Sequence, residues 1–257
     1  MKTLSPQVNT LTPPVIARVN YANHDSRFRS YGLRAGGKQA LFSPYIGVDH
    51  YWMGAPTFLP HKHSGMSAVS YILSDSETGM FNRDAIGTQN LIQPGGLHWT
   101  TAGKGIVHEE VPAAEGKTVH GLQIFVALSP EKRDIDPFPL MLEPQDVPVI
   151  KQPGVTIRIP LGSFGGKHSP MNPPTEVTLL DISIQANAEI TVPIPADHIL
   201  FAMPISGITE IDDHSYSIDD LKLPVYPAHD SPRNIVLRAP EGSSNVVLFA
   251  AHPLHLN

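Results

Sequence analysis

The sequence predicts an all-β protein, and three observations carry that expectation. Short apolar segments rich in β-branched and aromatic residues recur along the chain, and helical periodicity is nearly absent. Only 16% of the residues are charged, against 41% hydrophobic. Proline and glycine are abundant, at 26 and 20 of 257 residues, which suits many short strands joined by turns.

In chain order the expected strands cover residues 68–73, 122–128, 155–159, 177–184, 190–194, 199–203, 235–237 and 246–250. Turn signals separate them at Pro94-Gly95-Gly96, Ala102-Gly103-Lys104-Gly105, Ser206-Gly207 and Ala239-Pro240-Glu241-Gly242. Leu122, Ile124, Val126 and Leu128 form one strand face, and Phe125 on the other face implies that it too is covered. Residues 217–221 allow one short helical turn. The segment 129–153 holds Pro130, Pro137, Pro139, Pro144, Pro148 and Pro153 among charged residues, which a sheet interior does not tolerate. It reads as a linker between two β domains, expected at 1–140 and 141–257. The halves also read as a degenerate repeat, in which Pro193 and Pro195 take the places of His61 and His63.

Composition excludes several functions. The formal net charge is −6 and no Lys/Arg run exceeds two residues, so no basic patch for nucleic acid or an anionic membrane is expected. There is no cysteine, which removes disulfides, thiolate catalysis and Cys-based zinc sites. Residues 1–17 lack a signal-peptide pattern, and no apolar run approaches the roughly 20 residues of a membrane span. The expectation is a soluble cytoplasmic protein. The glycine pairs at 36–37 and 165–166 lack phosphate-loop spacing and read as turns, and no Gly-x-Ser-x-Gly elbow is present.

The chemistry concentrates in His61-Lys62-His63 and His108-Glu109-Glu110. Residues two apart on a strand share a face. His61 and His63 are therefore expected to look into one cavity with Lys62 outside, and His108 and Glu110 inward with Glu109 in solvent. Three imidazoles and a carboxylate suit a divalent transition metal: iron, nickel, copper and zinc accept imidazole, and the carboxylate favours iron or manganese. A buried Glu110 without a cation would carry a desolvation cost of several kcal/mol or hold a proton. His50, His98 and His120 stand as outer groups around such a site or as ordinary hydrogen-bonded histidines. Trp52, Met53, Phe58 and Trp99 stand as an apolar rim or as core.

These residues, with the runs His61-Lys62-His63-Ser64-Gly65, Val69-Ser70-Tyr71-Ile72-Leu73, Trp99 through Glu110 and His120 through Val126, resemble the pirin family. The second half fits the same family at Pro193-Ile194-Pro195 and Ile205-Ser206-Gly207, so that the likeness spans roughly residues 18–250. It implies a bicupin, two double-stranded β-helix barrels of which only the first binds metal, commonly iron as Fe(II). By position the family's ligands fall on His61, His63, His108 and Glu110. The chain departs from the family at Lys62, Ser64, His98 and Asn82-Arg83-Asp84, which leaves the ligands intact and changes the pocket mouth. Some pirin-like proteins resemble quercetin 2,3-dioxygenases, which implies a flavonoid substrate and O2, with Glu110 as ligand and base or as ligand alone. The alternatives are a metal-dependent regulatory module that binds a protein partner, and a metal-stabilised barrel without catalysis.

Overall fold

The computed structural model describes residues 13–25 and 27–254. The fold is a bicupin of antiparallel strands. Each barrel pairs a seven-stranded sheet with a four-stranded one.

In the first barrel the large sheet runs, edge to edge, Phe138–Leu142, Leu97–Thr101, Met66–Ile72, Val119–Ala127, Tyr45–Met53, Phe28–Arg34 and Asn20–His24. Its small sheet runs His61–His63, Ile106–Pro112, Met80–Asp84 and Gln89–Ile92. The second barrel repeats the plan. The large sheet is Val15–Arg18, Lys222–Tyr226, Ile199–Ser206, Ser244–Ala251, Thr178–Ile184, Val155–Leu161 and Val149–Gln152. The small sheet is Glu189–Ile194, Arg233–Arg238, Thr209–Ile211 and His214–Tyr216.

The edges reveal an exchange. Val15–Arg18, which precedes the first barrel, pairs with Lys222–Tyr226 of the second. Phe138–Leu142, which precedes the rest of the second barrel, pairs with Leu97–Thr101 of the first. Among the described residues, each half thus hands its first strand to the other. The proline-rich segment is not a free linker, because it carries Phe138–Leu142 and Val149–Gln152. Both are edge strands, where a proline's missing N–H, as at Pro139, is tolerated. The boundary expected at residue 140 falls inside the first of them.

The central strands of the large sheets are buried on both faces. Alternation sends Val48, Val69, Leu122, Ile124 and Val126 to a core shared between the barrels, against Leu179, Phe201, Met203, Val247 and Phe249. Phe201 and Phe249 stack at 4.6 Å, and Tyr45 meets both edge-on. Trp99 is fully buried in this core and is no rim residue. Polar contacts also join the barrels: the Tyr71 hydroxyl donates to Asp181 at 2.8 Å, and Tyr45 donates to the carbonyl oxygen of Thr178 at 3.0 Å. The interior of the second barrel is a separate aliphatic core that includes Val155, Ile157, Ile182, Val192, Ile194, Ile235, Leu237 and Leu248.

The short helical turn is a 3-10 turn over Ile218–Asp220, capped by Ser217. Gly165-Gly166 turns the hairpin of Ser163–Phe164 and Lys167–His168. No helix among the described residues is long and apolar enough to cross a membrane.

Candidate metal centre

His61–His63 is an edge strand of the first small sheet, paired antiparallel with Ile106–Pro112. His61 lies opposite His108, and His63 opposite Ile106. Alternation on the two strands gathers three imidazoles, and one ring nitrogen from each of His61, His63 and His108 lies within 4.8 Å of the other two. Ring centroids are 4.8–5.0 Å apart. His108 is buried, His63 half-buried and His61 exposed, so that the group opens outward from the barrel.

Burial holds the His63 imidazole down to about 4, with His61 adding to the effect, and His108 down to about 3, with His63 and His61 adding. Both rings are therefore neutral near pH 7, the state a cation requires. His61 uses Nδ1 on the carbonyl oxygen of Leu59 at 3.0 Å, which leaves Nε2 free. His108 Nδ1 is buried without a hydrogen-bond partner. Three imidazoles this close, with nitrogens left over, fit a divalent transition metal.

Glu110 lines the same cavity as His61 and His63 but is not part of the three-nitrogen group. Its Oε1 lies 2.6 Å from the Ser70 hydroxyl, which is also 3.0 Å from Oε1 of Gln123. One hydroxyl proton serves one acceptor. Either Glu110 carries a proton and donates it to Ser70, or the Gln123 amide is turned to present its NH2. Burial raises the Glu110 carboxyl to about 7, and the Ser70 contact pulls the other way. Glu109, expected in solvent, is covered by Arg83, whose Nε donates to it at 2.6 Å.

The cavity measures about 360 Å³. Phe28, Met53, Phe58, Met80 and Phe125 form its apolar wall, and Ser30, Tyr51 and Gln123 add polar atoms. An Arg34–Asp49 ion pair of 2.7 Å stands in the same lining. Of the four residues weighed as a rim, Met53 and Phe58 are in it. Trp52 faces the other side of the sheet, stacked on His120 at 4.6 Å. His50 and His120 also lie on that side, with their Nε2 atoms 2.7 Å apart and His120 Nδ1 2.8 Å from Asp75. His98 is buried against Thr100 at 3.0 Å. His255 lies outside the described residues.

Ser70, Gln123 and Tyr51 were not singled out in the sequence. The available signal was Ser70 alternating with apolar neighbours in a strand of the barrel interior, across from Gln123.

The sequence model of the Pirin family matches residues 24–126. Human Pirin is 30% identical over 239 residues, 89% of this chain and 81% of that protein. The chain belongs to the pirin family. An Arabidopsis thaliana pirin-like protein, At1g50590, is 31% identical over 170 residues, and the match covers 65% of this chain and 54% of the plant protein. The bicupin of this pirin recurs in solved structures. GK1651 of Geobacillus kaustophilus superposes with a TM-score of 0.84 at 24% identity, covering 95% of this chain and 97% of that one. A quercetin 2,3-dioxygenase of Acinetobacter baumannii gives 0.79 at 22%, covering 95% and 80%. The Escherichia coli pirin YhhW, solved in complex with nickel(II), gives 0.72 at 18%, covering 93% and 99%. At these identities the structural likeness carries the fold.

Proposed function

We propose that this pirin binds one divalent transition metal, Fe(II) in the working state, through His61, His63, His108 and Glu110, and cleaves flavonols such as quercetin with O2. The observation that carries the reading is the trio of imidazoles within 4.8 Å, at a cavity with an apolar wall. Glu110 would complete the set by turning from Ser70, a side-chain rotation within the cavity it already lines. Mn, Ni, Cu or Zn suit the same donors less selectively. The positions in the second barrel that correspond to His61, His63, His108 and Glu110 are aliphatic, which supports a single metal per chain.

Bound iron would supply the dioxygen and electron-transfer chemistry. The chain's own residues do the rest. The aromatic and methionine side chains hold a flat ring system and exclude water. A Glu110 carboxylate oxygen accepts the proton of the flavonol 3-hydroxyl. Until it turns, Ser70 holds that carboxylate, and Gln123 in turn contacts Ser70. The fold shared with a quercetin 2,3-dioxygenase and with a nickel-bound pirin supports this reading.

The test is metal analysis of protein purified without added metal, then anaerobic quercetin titration, then oxygen uptake. The expected result is about one metal per chain and quercetin-dependent O2 consumption that scales with loading. Loaded protein that binds no quercetin and consumes no O2 would overturn the catalytic reading.

A second reading has its own observation. Leu59 is 83% exposed and Phe58 48%, immediately before the ligand strand. An apolar lip tied to His61 through the Leu59 carbonyl would suit a metal-dependent regulatory contact with a protein partner. Partner binding that needs metal and fails in Leu59→Ser, with no O2 uptake by loaded protein, would favour it.

A further inference from the structure

Tyr51 stands in the cavity wall and is 3% exposed. Its hydroxyl is buried and has no hydrogen-bond partner. Native proteins leave few such groups, because the lost hydration is not replaced. The neighbouring polar side chains are already engaged: Ser70, Gln123 and Glu110 with one another, and Arg34 with Asp49. Tyr51 holds an idle donor that is fully buried.

Its placement depends on the residue opposite. Gly121 pairs with Tyr51 across the adjacent strand. A Cβ at Gly121 would come within 3.0 Å of the Tyr51 hydroxyl and 3.1 Å of Cζ, as well as 3.0 Å of the Tyr71 carbonyl oxygen. Glycine clears the space the phenol occupies. Burial, with the charge of Glu110 adding, holds the phenol well above its ordinary range, so the hydroxyl keeps its proton.

We propose that the Tyr51 hydroxyl donates a hydrogen bond to a carbonyl oxygen of the bound ligand. It thereby selects planar ligands that carry a carbonyl next to the hydroxyl offered to Glu110 and the imidazoles. The inference rests on the flavonol reading of this cavity, since a flavonol bears its 4-carbonyl beside the 3-hydroxyl. It makes Tyr51 a positioning and specificity residue.

The test is Tyr51→Phe, titrated calorimetrically without O2 against quercetin and against catechin, which lacks the 4-carbonyl. Metal-free and zinc-loaded protein are both used. The variant is expected to bind quercetin about fivefold more weakly, the size of one net hydrogen bond. Catechin binding and zinc content should not change. Ligand-free Tyr51→Phe should melt at the same temperature as wild type or higher, because an unsatisfied buried hydroxyl has been removed. Unchanged quercetin affinity in the variant overturns the inference and leaves the flavonol reading standing. A lower melting temperature with equal weakening of both ligands also overturns it, by assigning the hydroxyl a structural role. Wild type that binds no quercetin removes the flavonol reading, and the inference falls with it.

Discussion

Where the first barrel sets His108 opposite His61, the second sets Ile235 opposite Val192. Where Ser70 faces Gln123 in the first, the matching strands of the second set Ala202 against Leu248. One strand plan therefore encloses two different interiors. The second is filled with aliphatic side chains and stabilises itself by burial. The first holds neutral imidazoles, a desolvated carboxyl and an unpartnered hydroxyl around open space. A barrel that hollows and polarises its interior forgoes stability there. In this chain the aliphatic twin and the core between the barrels supply it.

The sharpest way to break this contrast is Glu110→Gln. On the dioxygenase reading, turnover per bound metal falls about 10²–10⁴-fold, because glutamine cannot accept the substrate proton. Weaker metal binding is corrected by added metal, so flavonol cleavage is compared at matched loading. Equal rates per metal would remove Glu110 from the base role.

Next is His108→Ala beside His198→Ala, one histidine from each barrel. Loss of an outer partner of a metal ligand commonly costs about 10–100-fold in affinity, and loss of a direct ligand should cost at least the upper end of that range. Competition with a metallochromic chelator should show the loss in His108→Ala alone. Equal losses would mean that histidine number, and not barrel geometry, holds the metal.

The converse substitution is Ile235→Ala, at the second barrel's counterpart of His108. Removing a fully buried isoleucine from a packed core costs about 2–5 kcal/mol. Chemical denaturation should show that drop with metal content unchanged. Metal-free His108→Ala should lose far less, since it empties a position beside a cavity.

The last contrast concerns acid. His50 and His108 are held down to about 3, and His63 and His98 to about 4, in each case chiefly by burial. All four belong to the first barrel. Depressed folded values mean that the unfolded chain takes up protons first as pH falls. Stability is then fully present above about 6.5 and declines toward about 4. Thermal melts of metal-free protein across that window should fall steadily, and His98→Gln should flatten part of the slope. A melting temperature constant from pH 6.5 to 4.5 would contradict the buried neutral rings.

The sequence made the strands, the two halves and the three imidazoles legible, because alternation is a local rule and His61, His63 and His108 obey it. Partners distant in the chain were not legible. Nothing near Glu109 announces Arg83, and nothing in Val15–Arg18 says that it pairs with Lys222–Tyr226. The internal repeat failed by one residue. Aligning Pro193 and Pro195 with the histidines put outward positions opposite inward ones, whereas Val192 and Ile194 point inward and Pro193 is exposed. A slip of one residue exchanges the two faces of a strand, and apolar residues on both sides of Pro193 concealed it. Tyr51 was hidden for a related reason. An aromatic residue in an apolar strand reads as core until the opposite strand is known to offer glycine.

The exchanged opening strands give the chain a property of its own during synthesis. Val15–Arg18 is made early, yet its partner Lys222–Tyr226 emerges some two hundred residues later. Until then this early strand has no sheet to join. Phe138–Leu142 likewise keeps the first sheet unfinished until translation has passed the barrel it closes. Severing the chain between residues 127 and 138 would not release two independent modules. Each fragment would carry a strand that belongs to the other and expose an unpaired edge where its own is missing. The two products should therefore reassociate when co-expressed and aggregate when made alone.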